Sequence, residues 1–331
     1  MSDVDKYILE IKNVYKYYDL KTLSFFGRSI EKVKAVRGVS LSILEGEIMG
    51  IVGESGCGKT TLAKLIVKLE TPLSGTILFK GQDIFKSSKM DEKILKQEIQ
   101  LIFQNPFMTF SPQVTIGAHI ADTLIIHNII KGRNRIRNKV NELLELVGLS
   151  PAVYDNYSEN FSGGELQMAN IARAMAVKPK LLISDEGISI LDVAYQAKIL
   201  NLMRHLQEKF HHGYIIITHD FSVVRHICDR IAVMYLGKIV ELGLNKAIFS
   251  APTHPYTRAL INAIPTIRKG LDGKKATPLR GEVPSPIYLP PGCDFYPRCP
   301  IATDICRRTE PILEKVKTDQ FAACHHWKEV C

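Results

Sequence analysis

The chain has 331 residues and a mass of 37.2 kDa. That is too long for one small module and ample for a large core, in one large or two unequal domains. Hydrophobic residues are 46% and charged residues 23%, near globular averages, which excludes wholesale disorder. The formal charge of +9 carries no basic block and no repeated basic–aromatic motif, so no nucleic-acid partner is expected. No apolar run approaches a membrane span, and Met1-Ser2-Asp3-Val4-Asp5-Lys6 has no apolar stretch, so neither crossing nor export is expected. In chain order, the short apolar runs 48–52, 181–184 and 214–218 predict buried parallel strands. Helical patterns follow them at 59–69, 193–210 and 221–228. This alternation predicts an α/β layer architecture. The stretch between, about 110–180, has no such strands, and 138–147 and 164–177 have helical patterns, as in a helical insert. Eleven of the sixteen prolines lie after residue 250, where the composition shifts.

Gly53-Glu54-Ser55-Gly56-Cys57-Gly58-Lys59-Thr60 fits the phosphate-loop pattern without a mismatch, between a strand and a helix. The glycines let backbone amides curl inward, and these amides with the helix N-terminus bind an anion. Lys59 would reach the β- and γ-phosphates, and Thr60, followed by Thr61, would hold Mg²⁺. Asp185 and Glu186 end a buried strand behind this loop. Asp185 is expected on Mg²⁺, and Glu186 on the attacking water as general base. His219 ends another strand, where doubly wound sheets place their ligands, and would hold the γ-phosphate. Ser162-Gly163-Gly164 opens a helix with no Lys, a second phosphate-facing N-terminus.

The order of these parts resembles the ATP-binding subunits of ABC transporters: phosphate loop, Gln104, Ser162-Gly163-Gly164, Asp185-Glu186, Ser189-Ile190-Leu191-Asp192, then His219. The resemblance implies a phosphate-loop NTPase core, a mixed sheet with helices, over 1–250, with a helical subdomain at about 105–180. It implies ATP and Mg²⁺ as cofactors and ATP hydrolysis as the activity. It implies Tyr18 as the aromatic stacked on adenine, with Tyr17 as the alternative, and Gln104 as the residue that touches Mg²⁺ and links to the membrane subunit. Ser162, Gly163 and Gly164 would bind the γ-phosphate of ATP held by a partner ATPase, with Asp192 at the dimer seam. ATP would close that dimer and hydrolysis reopen it. Gly-Glu-Ser-Gly in the loop, Phe25-Phe26-Gly27-Arg28, Leu191-Asp192-Val193 and His254-Pro255-Tyr256-Thr257-Arg258 narrow the resemblance to the oligopeptide/dipeptide importers, most of all their "F" ATPase partner. Related nickel and sugar importers share the lineage. The implied setting is peripheral, on the cytoplasmic face of the cell membrane, with two permease subunits, a second ABC ATPase and, indirectly, an extracytoplasmic solute-binding protein. A soluble ABC ATPase acting on nucleic acid or the ribosome is the other class; such chains usually carry two ATPase domains or a long coiled coil. Four positions depart from the family pattern. Glu165 stands for Gln, Met168 for Arg, and Gly187-Ile188 for Pro-Thr or Pro-Val. A Glu165 carboxylate facing the γ-phosphate would slow the site that this chain's signature completes.

The Pro-rich segment 251–331 carries Cys293, Cys299, Cys306 and Cys324. Four thiolates suit a tetrahedral zinc ion or a four-iron cluster. The spacings are wider than usual zinc pairs, and the importer resemblance implies [4Fe–4S]. His325 or His326 are possible substitute ligands.

Overall fold

The computed structural model describes residues 7–24, 27–86, 89–187, 191–264 and 281–330. Phe25, Phe26, Ile188, Ser189, Ile190 and Cys331 lie outside the described residues. The first half contains β1 (Tyr7–Ser24), β2 (Gly27–Leu44), β3 (Ile48–Val52), α1 (Lys59–Ile66), β4 (Ser74–Phe79), β5 (Gln82–Asp83), α2 (Lys89–Glu98), β6 (Ile99–Ile102), α3 (Ile116–Ile126) and α4 (Arg133–Leu146). Then come α5 (Gly163–Met175), β7 (Leu181–Asp185), α6 (Val193–Phe210), β8 (Gly213–Thr218), α7 (Phe221–Ile227), β9 (Arg230–Tyr235), β10 (Lys238–Leu244) and α8 (Asn245–Ser250). The C-terminal segment adds α9 (Pro255–Ala263), α10 (Asp304–Arg308), β11 (Glu314–Lys317) and β12 (Gln320–Ala322). The chain divides into two units, each woven from separate stretches.

One unit comprises Met1–Ile8, Ile43–Glu47 and Phe79–Ile217. Its strands run β8-β7-β6, all parallel, with Leu181 opposite both Ile99 and Gly213. Every residue of β7 is buried, as a central parallel strand covered on both faces requires. The expected helices are present: 138–147 falls within α4 but for its C-cap, Val147, and α5 starts one residue earlier than its pattern. α5 buries ten of its residues, so Met168 is packed apolar volume there. α6 has the bounds its pattern predicts and buries a single stripe, Ile199, Met203 and Leu206, as an amphipathic surface helix does.

The other unit comprises Leu9–Ser42, Ile48–Leu78 and Thr218–Cys331. Here β3 pairs parallel with β9, Met49 opposite Arg230. Then β10 pairs antiparallel with β9, and β12 with β10 and with β11. A further sheet has the order β2-β1-β4. The C-terminal segment therefore adds strands to the sheet that carries the phosphate loop. Glu241 fastens it. Its carboxylate accepts from Thr253 N (2.7 Å), Thr253 Oγ1 (2.8 Å), His254 N (3.1 Å) and Gln320 Nε2 (2.7 Å). Burial pushes that carboxyl up, and these donors oppose it. α1 stops at Ile66 instead of running to residue 69. Lys68 takes a left-handed φ of 58°, and Lys68 N and Leu69 N return to Leu65 O and Lys64 O at 3.2 and 2.9 Å. This closes the helix in a Schellman motif.

Candidate functional site

The phosphate loop leaves β3 at Val52 and enters α1 at Lys59. Gly58 caps α1 at φ 105° with no side-chain capping bond, and a Cβ there would sit 2.1 Å from Ala35 O. Only glycine fits. A helix N-terminus entered through such a glycine turn is the kind of cradle a polyphosphate needs. Lys59 is buried, and its Nζ donates to Gly53 O at 2.8 Å and Glu54 O at 3.0 Å. Cys57 fills space beneath it. Burial raises the Cys57 thiol more than the Lys59 charge lowers it, so it stays protonated. Ser55, Gly56 and Thr60 are exposed.

Tyr18 lies beside this loop. Its hydroxyl is hydrogen-bonded with the side chains of Thr61 and Glu70, and Lys16 stands 5.0 Å from its ring centroid. Lys16 pairs with Glu70 at 2.7 Å. Tyr17 instead meets Tyr15 edge-on at 6.3 Å. Of the two tyrosines, the structure therefore brings Tyr18 to the start of α1. His219 is exposed just past β8, and the next residue, Asp220, caps α7 through Ser222 N at 2.7 Å.

The acidic pair belongs to the other unit. Asp185 is buried at the end of β7. Glu186 takes φ 50°, a left-handed conformation that costs a non-glycine residue energy and clusters at functional positions. Its N–H donates to Ile217 O at 2.8 Å, and its Oε2 accepts from Gln104 Nε2 at 2.7 Å. Gln104 and Glu186, 82 residues apart, are brought together here. A Cβ on Gly187 would meet Gln167 Nε2 at 2.4 Å, so the departure from proline at this position makes room for a buried glutamine.

Ser162 caps α5, and Gly164 lies against Tyr195, whose ring a Cβ would strike at 2.1 Å. A Cβ on Gly163 would come within 3.4 Å of Leu191. Glu165 closes a capping box. Its Oε2 accepts from Ser162 N at 2.9 Å and from Ser162 Oγ at 2.7 Å, while Glu165 N donates to Ser162 Oγ at 3.3 Å. The two Ser162 bonds hold the Glu165 carboxyl below its ordinary range. Asp192 caps α6, accepting from Ala194 N and Tyr195 N at 3.1 and 3.0 Å.

Residues 36–189 match the ABC transporter family, and residues 240–306 match the oligopeptide/dipeptide transporter C-terminal region. The oligopeptide transport ATP-binding protein AppF of Bacillus subtilis is 45% identical over 322 residues, 96% of this chain and 97% of that protein. The chain belongs to the ATP-binding proteins of oligopeptide/dipeptide ABC transporters. The di/tripeptide transport ATP-binding protein DppF of Pseudomonas aeruginosa is 40% identical over 96% of this chain and 97% of its own length. Among solved structures, the dimeric ATP-binding cassette MJ0796, bound to ADP and Pi, superposes with a TM-score of 0.62 at 26% identity, covering 72% of this chain and 98% of that one. The fold is that of the ABC ATPases, and the chain is an ATP-binding ATPase.

In this ABC ATPase the C-terminal cysteines need a correction. Among the described residues no group of three or more His, Cys, Asp or Glu could hold a metal ion, so neither the zinc reading nor the iron–sulfur expectation is supported. None of the six described cysteines is in a disulfide. Burial pushes Cys293 up to about 11 and Cys324 to about 12, and neighbouring Cys299 and Cys306 add to both shifts. The histidines are engaged elsewhere, His325 Nε2 with Thr309 O at 3.0 Å and His326 Nε2 with Thr303 Oγ1 at 2.7 Å. No described helix is long and apolar enough to cross a membrane. Two residues that contact Glu54 of the phosphate loop from 202 and 244 residues away, Tyr256 and Arg298, escaped the sequence reading as partners of that loop. Tyr256 stands in the 254–258 motif that suggested the importer lineage, but nothing local in it points to the loop.

Proposed function

We propose that this chain energises uptake of oligopeptides or dipeptides through a membrane permease. Identity to AppF running through both the cassette and the C-terminal region carries the reading. The partners would be two permease subunits and a second ABC ATPase on the cytoplasmic face of the membrane, supplied by an extracytoplasmic solute-binding protein. Residues 1–250 would form the ATP-binding domain, with its helical subdomain at about 105–180 facing the permease, and 251–331 the extension.

In the proposed mechanism the loop amides from Gly53 to Thr61 and the Lys59 ammonium grip the polyphosphate, and Tyr18 stacks on the base. Thr60, Gln104 and Asp185 would hold Mg²⁺, which when bound neutralises charge on the β- and γ-phosphates. Glu186 takes a proton from the attacking water, a role worth about 10²–10⁴ in rate. Gln104 occupies one oxygen of Glu186 and orients the other. His219 positions the water against the γ-phosphate. The signature residues Ser162, Gly163 and Gly164 and the seam residue Asp192 complete the site of a partner ATPase, and the dimeric state of MJ0796 supports that arrangement.

The deciding experiment is purification of the complex from its native membrane, identification of every subunit, and reconstitution into vesicles. Uptake of labelled oligopeptide that needs ATP and is abolished by Lys59→Ala is expected. A complex that hydrolyses ATP yet moves no peptide would refute the assignment of solute.

A further inference from the structure

Glu54, the second residue of the phosphate loop, is held at three of its groups. Its carboxylate receives both guanidinium nitrogens of Arg298, Nη1 to Oε2 at 2.6 Å and Nη2 to Oε1 at 3.0 Å. Its amide donates to Tyr256 Oη at 2.9 Å. Its carbonyl accepts Lys59 Nζ at 3.0 Å. Arg298 and Tyr256 belong to the C-terminal segment, and Lys59 is the phosphate-binding cation of the proposed site. The geometry points to Arg298 and Tyr256 as positioning residues for ATP: the C-terminal segment sets the shape and charge of the phosphate loop through Glu54.

Two physical arguments carry this. The first is rigidity. The Arg298 side chain is 4% exposed and that of Glu54 26%, and a forked arginine–carboxylate pair fixes both distance and plane. Arg298 stands 6.0 Å from the ring centroids of Tyr235 and Phe295. Tyr256 is fully buried against the same two rings, at 4.7 and 5.4 Å. Tyr256 in turn is set by the start of α9, where its N–H donates to His254 Nδ1 at 3.1 Å. The loop is also pinned at Cys57 O, which accepts from Gly237 N at 2.9 Å. Lys59 therefore rests on Gly53 O, at 2.8 Å, whose peptide carries the Glu54 amide that Tyr256 ties to a packed aromatic cluster, and on Glu54 O in the next peptide. The second argument is charge. A carboxylate within a phosphate-binding loop opposes a polyanion unless a cation neutralises it. The Glu54 bonds raise the Arg298 pKa further, so that cation is permanent.

The inference rests on the reading that this loop grips ATP, and the test separates the two. ATP binding by the full chain, with a fluorescent nucleotide, and KM and kcat of the assembled complex are measured for Arg298→Ala, Glu54→Gln, Tyr256→Phe and the double variant Glu54→Gln/Arg298→Ala. Arg298→Ala leaves Glu54 charged and loose, and should raise KM for ATP about fivefold to tenfold while lowering kcat less. The double variant should bind ATP no more weakly than Arg298→Ala alone, because removing the carboxylate removes the repulsion. Tyr256→Phe should raise KM about twofold to fivefold, the scale of one hydrogen bond. Should Arg298→Ala unfold, Glu54→Gln probes the same pair from the loop, and a KM unchanged in Glu54→Gln would overturn the proposal. Additive losses in the double variant would overturn it as well. Lys59→Ala is the control: nucleotide binding that survives it would defeat the reading of the loop itself. Lost binding in Lys59→Ala beside normal KM values for the Glu54 and Arg298 variants would defeat only the positioning role.

Discussion

Glu165→Gln is the variant that best separates a capping role from a phosphate-facing one. The sequence alone suggests a carboxylate directed at a partner's γ-phosphate. The structure turns it back on its own helix, where Oε2 takes both the N–H and the hydroxyl of Ser162. In the proposed dimer the Ser162 hydroxyl must leave that oxygen before it can serve a phosphate. Hydrogen bonds to a charged acceptor are worth about 1.5–3 kcal/mol and neutral ones about 0.5–1.5, so the carboxylate holds Ser162 about 1 kcal/mol more tightly than an amide would. That corresponds to roughly a fivefold difference in the closed site. Glutamine preserves the capping-box geometry, and the lost charge at the helix N-terminus costs only about 0.3–1 kcal/mol, so the fold survives. The assay is single-turnover hydrolysis by the heteromeric complex, with this chain's own phosphate-loop site silenced by Glu186→Gln. Only the site completed by this signature then reports. Turnover there should rise about fivefold with Glu165→Gln. An unchanged rate would mean that the carboxylate does not compete for Ser162, and the asymmetry argument would fail.

Glu186→Gln in the otherwise intact complex should keep ATP bound, trap the closed dimer and lower kcat at least about 100-fold, and normal turnover would remove Glu186 as the base. Gln104→Ala should lower kcat by more than it weakens nucleotide binding, since its amide holds Glu186; stopped-flow binding beside steady-state rates separates these. Tyr18→Ala should raise KM for ATP several-fold, about a kcal/mol of lost stacking, and an unchanged KM would return the role to Tyr17. Stability should fall on acidification. Burial lowers His212 to about 4 and His254 to about 3, while an unfolded imidazole titrates near 6.5. The unfolded state therefore takes up protons first. The stabilisation is complete above about pH 6.5 and declines as pH falls toward 4, by roughly 3 kcal/mol per imidazole at that point. Urea melts between pH 7 and 4.5 measure this, and His212→Phe should flatten the slope.

Local signals carried the parts of the fold whose residues are neighbours in the chain. The runs at 48–52, 181–184 and 214–218 are apolar because both faces of their strands are covered, and β3, β7 and β8 sit on them. The stripe on α6 gave its bounds because a single face packs. β1 and β2 were not legible. Their 18-residue spans mix Lys and Tyr with apolar residues, Asn13 breaks the extended backbone with φ 49°, and what stabilises them is pairing with each other. β12 is three residues long and exists by pairing with β10, as with Gly243 opposite Gln320. At the site, the phosphate loop was legible because its chemistry is local. Gln104 was named by resemblance for Mg²⁺ and the membrane subunit, its contact with Glu186, 82 residues away, was not foreseen, and Arg298 had no signal at all, because its partner lies 244 residues away.

Two acids therefore stand in segments whose proposed task is to bind phosphate, and each is neutralised by a different device. Glu165 is met by backbone and hydroxyl donors of its own helix start, which a competing anion can claim at a cost of about a kcal/mol. Glu54 is met by a forked, nearly buried guanidinium, which no neutral donor replaces and whose charge no physiological pH removes. The first arrangement suits a contact that must open and close with each dimer cycle. The second suits a contact that must persist through it. In the proposed arrangement the C-terminal segment, by supplying Arg298, enters the electrostatics of ATP binding, because it neutralises the acid in Gly-Glu-Ser-Gly.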